Sequence, residues 1–251
     1  MNVRIGQIKV EPQKGALPEN HATLLAILGE LTAHRLDVVV TPECFLDGYI
    51  ASDPSISADE LPRFAIDPRT SPYTRDIAQW ARTNSVWVVY GCTRASGSHI
   101  LNSALVYDRD GRIALIYDKL HLAEEDLKFS PGQSLNAFDT DFGRCGVMIC
   151  ADRRWPETAR TLALKGCQIV FNPTFGFRDD LNVCMMRTRS YENEMFIAFT
   201  HPDEALITDP SGHVICRDTS KETRFVVNEI DLSRAATFSH LDYRRPDVYQ
   251  L

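Results

Sequence analysis

What this 251-residue chain lacks narrows its function before any motif is considered. No apolar run approaches the roughly 18 residues that a membrane-spanning helix needs. The first residues, Met1-Asn2-Val3-Arg4-Ile5-Gly6-Gln7-Ile8, alternate like a strand and contain no signal-peptide apolar core. A soluble, cytoplasmic protein without membrane contacts is therefore expected. Basic residues are in deficit, 27 Lys and Arg against 34 Asp and Glu, with a formal net charge of −7. No basic cluster offsets that deficit, which excludes a nucleic-acid-binding surface. There is no Cys-x-x-Cys and no closely spaced His pair, so neither a structural metal nor a cofactor is expected. Seven cysteines are present, at positions 44, 92, 145, 150, 167, 184 and 216. Their odd number and scatter through apolar runs do not make a secreted disulfide framework. Linkers and repeats are missing too, and residues 1–251 read as one domain.

What is present is an ordinary globular balance, 44% apolar and 24% charged. Helix and strand patterns alternate. Residues 3–10 read as a strand, and residues 16–35 carry Leu24, Ile27, Leu28 and Leu31 at helical spacing. Residues 37–41 form a continuous apolar run, as in a strand buried on both faces. Residues 48–68 hold Gly48, Pro54, Pro62 and Pro68 and read mainly as loop. A helix starts at Ser71-Pro72, and a strand covers 86–92. Strands over 101–107 and 113–117 flank the hairpin signal Asp108-Arg109-Asp110-Gly111. Helices over 156–165 and from Asp179 or Asp180 to 194 alternate with strands over 168–171 and 195–200. A second hairpin signal, Asp209-Pro210-Ser211-Gly212, precedes a last strand over 225–230. The pattern predicts an α/β fold with two mixed sheets packed together and helices outside.

Three chemically capable residues stand just past strand ends. Gly146-Val147-Met148-Ile149 runs straight into Cys150, followed by Ala151-Asp152-Arg153-Arg154-Trp155-Pro156-Glu157. Pro156 fits the first turn of a helix, which would put Cys150 between a buried strand and a helix N-terminus, where a thiolate is stabilised. A cysteine in an apolar run is by itself more often an inert core residue. Glu43 alone would be a solvated loop carboxylate, and Lys119 alone a surface lysine. The three together supply a nucleophile, a base and a cation.

The motifs around them resemble the nitrilase superfamily of carbon–nitrogen hydrolases. They are Thr41-Pro42-Glu43, Asp118-Lys119-Leu120-His121-Leu122 and Gly146 through Asp152, supported by Phe129-Ser130-Pro131-Gly132, Asn172-Pro173-Thr174, Glu192-Asn193 and Arg245-Pro246-Asp247-Val248-Tyr249. They occur in the family's order over essentially the whole chain. The resemblance implies a four-layer αββα sandwich and a Glu43–Lys119–Cys150 triad. In it Glu43 is general acid and base, Lys119 and the Ala151 N–H stabilise an oxyanion, and Cys150 forms a thioester. It also implies a second carboxylate seven residues before the Gly of the Pro-Gly motif, which is Glu125 with Glu124 as its neighbour. Asn172 is expected at the substrate. His121 is given no catalytic role.

The turn after the nucleophile bears on the substrate. Nitrile-hydrolysing members usually follow the cysteine with Trp-Glu, whereas this chain has Ala151-Asp152, which disfavours nitriles. Arg153-Arg154-Trp155-Pro156-Glu157 is similar to the N-carbamoyl-D-amino-acid hydrolase branch, in which arginines here hold a substrate carboxylate; many members of the amidase branches also carry Arg here. A guanidinium can grip a carboxylate through two parallel hydrogen bonds; Arg154 is expected to do so ahead of Arg153. The carbamoylase pattern has Asn where Ala151 stands, so any side-chain contact there is lost. The expected function is hydrolysis of a small linear amide or N-carbamoyl compound with release of ammonia. An ω-amidase-like reaction on dicarboxylic monoamides, or a non-catalytic binding protein that keeps the fold, are the alternatives. A homodimer or higher homo-oligomer is expected.

Overall fold

The alternating apolar periods are realised as two helix–sheet layers packed sheet to sheet in the computed structural model, which describes residues 1–235 and 241–249. The first half runs β1 (Asn2–Ile8), α1 (Leu17–Leu31), β2 (Val38–Val40), α2 (Pro72–Asn84) and β3 (Trp87–Ser96), then the hairpin strands β4 (His99–Tyr107) and β5 (Ile113–Asp118). The second half runs β6 (Ala137–Thr140), β7 (Gly143–Val147), α3 (Pro156–Leu164), β8 (Ile169–Pro173), α4 (Asp180–Asn193), β9 (Phe196–His201), β10 (Glu204–Thr208) and β11 (Val214–Asp218). The last strand, β12 (Phe225–Asp231), returns to pair antiparallel with β1. The strand orders are β12-β1-β2-β3-β4-β5 and β11-β10-β9-β8-β7-β6. Within each sheet three central strands are parallel, β1–β2–β3 and β7–β8–β9, and the outer pairs are antiparallel. This is the expected four-layer αββα sandwich.

Side-chain alternation along the strands decides which face each residue covers. Val38, Val40 and Val89 point between the sheets, where they meet Val147, Ile149, Ile169, Phe171 and Phe196. Val39 and Val88 point the other way, onto Leu24, Ile27, Leu28 and Leu31 of α1 and Ile77 and Ala81 of α2. The i, i+3, i+4, i+7 spacing of α1 is the stripe that a sheet-covering helix needs. Across the molecule, Ala159, Leu162 and Met186 of α3 and α4 cover Val170, Ile197 and Phe199. Truncating one such buried leucine to alanine typically costs about 2–5 kcal/mol.

Differences from expectation are local. The first helix ends at Leu31 rather than near residue 35, because the apolar stripe ends there and the chain turns over Thr32 to His34. Strand β6 is a short half-polar edge strand that the apolar pattern does not mark. Pairing of β7 stops at Val147, and Cys150 begins a short 3-10 turn, Cys150–Arg154. The helix α3 starts only at Pro156, so its N-terminus does not lie at the sulfur as expected. Residues 48–68 are mainly loop, with 3-10 turns at Ile50–Ser52 and Leu61–Phe64. Among the described residues no helix is long and apolar enough to cross a membrane.

Candidate active site

The loops leaving β2, β5, β7 and β8 converge at one end of the sandwich. Past β2, the Thr41 N–H donates to Val89 O (3.0 Å) and its hydroxyl oxygen accepts from the Gly91 N–H (2.9 Å). The chain then crosses β3 so closely that a Cβ on Gly91 would lie 2.3 Å from Pro42 O. Glycine at 91 is what lets Glu43 be delivered inward. The next residue, Cys44, has φ +44°, and Cys150 has φ +43°. Both bends use the left-handed region, which costs a non-glycine residue about 1–2 kcal/mol, and each turns the chain sharply beside a functional side chain.

Lys119 is seated by its backbone. Its N–H donates to Asn102 O (2.9 Å), and its carbonyl accepts from the Gly132 N–H (2.8 Å). A Cβ on Gly132 would lie 2.1 Å from Asp118 O, which explains the glycine of the Pro131-Gly132 pair. Both Lys119 and Glu43 side chains are fully buried, with Lys119 Nζ 2.7 Å from Glu43 Oε1. The Asn102 Nδ2 donates to the same Glu43 oxygen (2.8 Å), and the Phe175 N–H donates to Oε2 (2.9 Å). Asn102 thus holds the lysine by its backbone and the glutamate by its side chain.

The second carboxylate on Lys119 is Asp126. Its Oδ2 lies 2.5 Å from Lys119 Nζ and also accepts from the Ala123 N–H at 3.0 Å, while Oδ1 accepts from Tyr49 OH at 2.7 Å. Glu125, the expected residue, is exposed, and so is Glu124. The three sit on a 3-10 turn, Glu124–Asp126, in which neighbours point about a third of a turn apart. Only the last of them faces the lysine.

The two arginines after Cys150 point in different directions. Arg153 is fully buried and its Nη1 donates to Cys150 Sγ (3.4 Å). Its Nε donates to Asn182 Oδ1 (2.8 Å) and its Nη2 to Phe177 O (2.7 Å). Arg154 is exposed, with its guanidinium 5.1 Å from the centre of the Phe177 ring. Ala151 is buried in the first turn of the 3-10 segment, where N–H groups have no partner within the helix. Asn172 braces the bend, its Nδ2 donating to Met148 O (2.8 Å), while its buried Oδ1 has no protein partner.

Asp152 ties the Lys119 and Cys150 loops together. Its Oδ2 accepts from the Ile149 N–H (2.9 Å) and Tyr117 OH (2.7 Å). Its Oδ1 accepts from the His121 N–H (3.0 Å) and lies 2.8 Å from His121 Nδ1. The residues two before and two after Lys119 are therefore gripped by a side chain two after Cys150. The His121 ring in turn stacks on Trp155, 4.2 Å between centroids.

Electrostatics follow from this burial. Burial and the Glu43 charge push the Cys150 thiol up, while Lys119, Arg153 and the Phe175 amide pull it down; the net direction is up. Burial also raises the Glu43 carboxyl, against the opposing pull of Lys119. Burial alone would discharge Lys119, but Glu43, Cys150 and Asp126 hold it firmly protonated. The thiol and the Glu43 carboxyl are thus both held above their ordinary ranges, beside a lysine held as a cation. A cleft of about 530 Å³ runs along Phe175, Gly176, Phe177 and His201. One of its lining residues, Gly176, lies next to Cys150: a Cβ there would be 3.0 Å from Sγ. Among the described residues, no group of three His, Cys, Asp or Glu side chains is placed to hold a metal ion.

Glu43, Lys119, Cys150, Ala151 and Asn172 thus lie at the same end of the sandwich, whereas Glu125 is exposed. Asp126, Arg153, Asn102, Asp152 and the Phe175 amide join them. The adjacency of Asp126 to Glu125 and of Arg153 to Arg154 was a signal of position without one of orientation. Asn102 carried no signal.

Known proteins share this architecture. The crystal structure of a carbon–nitrogen hydrolase from Helicobacter pylori G27 superposes with a TM-score of 0.84 at 22% identity, covering 99% of this chain and 97% of that one. Saccharomyces cerevisiae Nit3, a member of branch 10 of the nitrilase superfamily, superposes at 0.81 with 20% identity, covering 96% and 94%. In sequence, the chain is 29% identical to a nitrilase of Pyrococcus abyssi over 92% of its length and 90% of the relative's. It is 25% identical to the omega-amidase NIT2 of Mus musculus, covering 92% and 91%. The family model described as carbon-nitrogen hydrolase matches residues 2–239, nearly the whole chain, which therefore belongs to the carbon–nitrogen hydrolase family.

Proposed function

We propose that the protein hydrolyses a small linear amide or N-carbamoyl compound through a thioester on Cys150, releasing ammonia. The observation that carries this reading is the buried contact of Glu43 with Lys119 beside the Cys150 bend. Glu43 takes the thiol proton as the sulfur attacks the carbonyl carbon, then returns it to the departing amine. Lys119 has three donors. Two go to Glu43 and Asp126, and the third is the one an oxyanion would take. The Ala151 N–H supplies a second donor; losing one such donor typically costs about 3–4 kcal/mol of barrier stabilisation. Water activated by Glu43 then hydrolyses the thioester. Asp126 takes the role expected of Glu125, holding Lys119 in place. Asn172 holds the bend from behind and keeps one carbonyl oxygen for a ligand or a water. Arg154, exposed beside the Phe177 edge of the cleft, is the residue we assign to a substrate carboxylate. The resemblance also supports a homodimer or higher homo-oligomer.

A second reading, ω-amidase-like hydrolysis of dicarboxylic monoamides, is supported by the relative named an omega-amidase. N-carbamoyl amino acids and dicarboxylic monoamides both carry a carboxylate, and both readings release ammonia. An ammonia-release panel of N-carbamoyl amino acids, ω-amides, simple amides and nitriles separates them. Cys150→Ala should abolish release with the fold intact, and EDTA should leave it unchanged. Turnover that survives Cys150→Ala would remove the thioester mechanism, and inhibition by chelation would require a metal.

A further inference from the structure

We propose that Arg153 is a catalytic residue: its guanidinium donates to the attacking sulfur and holds it as the thiolate, rather than binding substrate. The proposal rests on the reading of Cys150 as the nucleophile. Each of the three guanidinium nitrogens is committed, Nη1 to Cys150 Sγ at 3.4 Å, Nε to Asn182 Oδ1 at 2.8 Å and Nη2 to Phe177 O at 2.7 Å. The plane is further fixed by two rings, Phe177 at 4.5 Å and Phe199 at 5.5 Å from the guanidinium carbon. The side chain is 0% exposed. Three of the five N–H donors are used in this way, and with the side chain fully buried a substrate carboxylate could reach the other two only if the covering rings moved. The exposed Arg154 next to it has no such commitment to the sulfur.

Charge balance gives the contact its purpose. The groups facing Cys150 from other loops are Glu43, Lys119 and Tyr49, with the Phe175 amide, and Asp126 is bonded to both Lys119 and Tyr49. Beyond Phe199, on the Arg153 side, lies His201. When Glu43 takes the Sγ proton it becomes neutral. Lys119 and Asp126 remain as a paired, neutral couple. The negative charge on sulfur then faces a single unmatched cation, Arg153. The sulfur pair forms the S–C bond, and the carbonyl π pair moves onto oxygen. A neutral thiol is a weak acceptor, so the Arg153 contact strengthens as the charge forms. An interaction stronger at that stage than at rest accelerates the step. Because the partners are fixed beforehand, the cation needs no reorganisation.

The experiment follows alkylation of Cys150 by iodoacetamide, a neutral probe, across about pH 7 to 11, because burial holds the resting thiol above its ordinary range. The Cys150 peptide is read by mass spectrometry so that the exposed Cys184 does not contribute. In Arg153→Met the midpoint should rise by about one unit and the neutral-pH rate fall about tenfold. Arg153→Lys, which keeps the charge, should recover part of the rate. An unchanged profile in folded Arg153→Met overturns the proposal. So does a profile left unchanged while KM rises only for carboxylated substrates, which makes Arg153 a substrate clamp. If Arg153→Met does not fold, Asn182→Ala removes only the Nε acceptor and should move the midpoint the same way; no movement overturns it. Turnover surviving in Cys150→Ala would instead remove the nucleophile reading, an outcome separate from the alkylation profile.

Discussion

Asp126 Oδ2 lies 2.5 Å from Lys119 Nζ, and both side chains are fully buried. The lysine is thereby clamped between Asp126 and Glu43, each carboxylate also receiving donors from the surrounding loops. Removing one member of a buried ion pair typically costs about 3–5 kcal/mol, because the partner's charge is left uncompensated. Asp126→Ala should therefore lower the unfolding free energy by about that amount and reduce kcat by at least about tenfold. Glu125→Ala, on the exposed side of the same turn, should stay within about 0.5 kcal/mol of wild type with near-normal kcat. Urea melts and steady-state kinetics on the two variants check the assignment; equal effects would return the role to Glu125.

Gly176 touches the sulfur rather than the core. Its added Cβ would meet a single neighbour within 4 Å, Cys150 Sγ at 3.0 Å. Gly176→Ala should leave the melting temperature nearly unchanged while lowering kcat/KM by about tenfold or more, since under the proposed mechanism a displacement of this size at the attacking sulfur is costly. Wild-type kinetics in that variant would mean that the 175–177 segment yields freely.

His201 makes stability depend on pH. Its Nε2–H donates to Phe175 O (3.1 Å), and its Nδ1 accepts from the Asp203 N–H (2.9 Å). Burial lowers its pKa from the usual value to about 4. Between about pH 6.5 and pH 4 the unfolded chain binds a proton that the native ring refuses, so stability falls as pH drops through that window. The loss approaches about 3 kcal/mol at the lower end. His201→Gln should show a smaller fall between pH 7.5 and 4.5 in urea titrations. Parallel curves for the two proteins would show that His201 does not carry the dependence.

Arg154 tests substrate charge. Its guanidinium stands at the Phe177 ring, which lines the cleft. Arg154→Ala should raise KM about tenfold for carboxylated substrates, equivalent to about 1.4 kcal/mol, and leave neutral amides nearly unaffected. Equal increases for both classes would remove the carboxylate contact.

Much of the architecture was legible because it follows from short-range periodicity. The continuous run Val38, Val39, Val40 needs apolar neighbours on both faces, and the stripe Leu24, Ile27, Leu28, Leu31 needs a sheet beneath it. Glycine and proline marked the turns and helix starts, including Pro72 and Pro156. The edge strand β6 escaped because it has one buried residue, Phe138. Glu43, Lys119 and Cys150 were legible because each follows a strand end within a distinctive motif. Asn102 was not, because a polar residue inside the largely apolar strand β4 carries no local sign of the loops it meets across the fold.

The sequence by itself determined the helix–strand order, the family and the three residue types at the loop ends. Those follow from local pattern and motif, which fold-independent reading can reach. Only the tertiary structure decided that Asp126 rather than Glu125 reaches Lys119, and that Arg153 rather than Arg154 lies on Cys150. In a 3-10 turn, adjacent side chains diverge by about a third of a turn. Which of two neighbours faces inward is set by the bend that delivers the turn, here the left-handed Cys150 and the packing of loops from four strands.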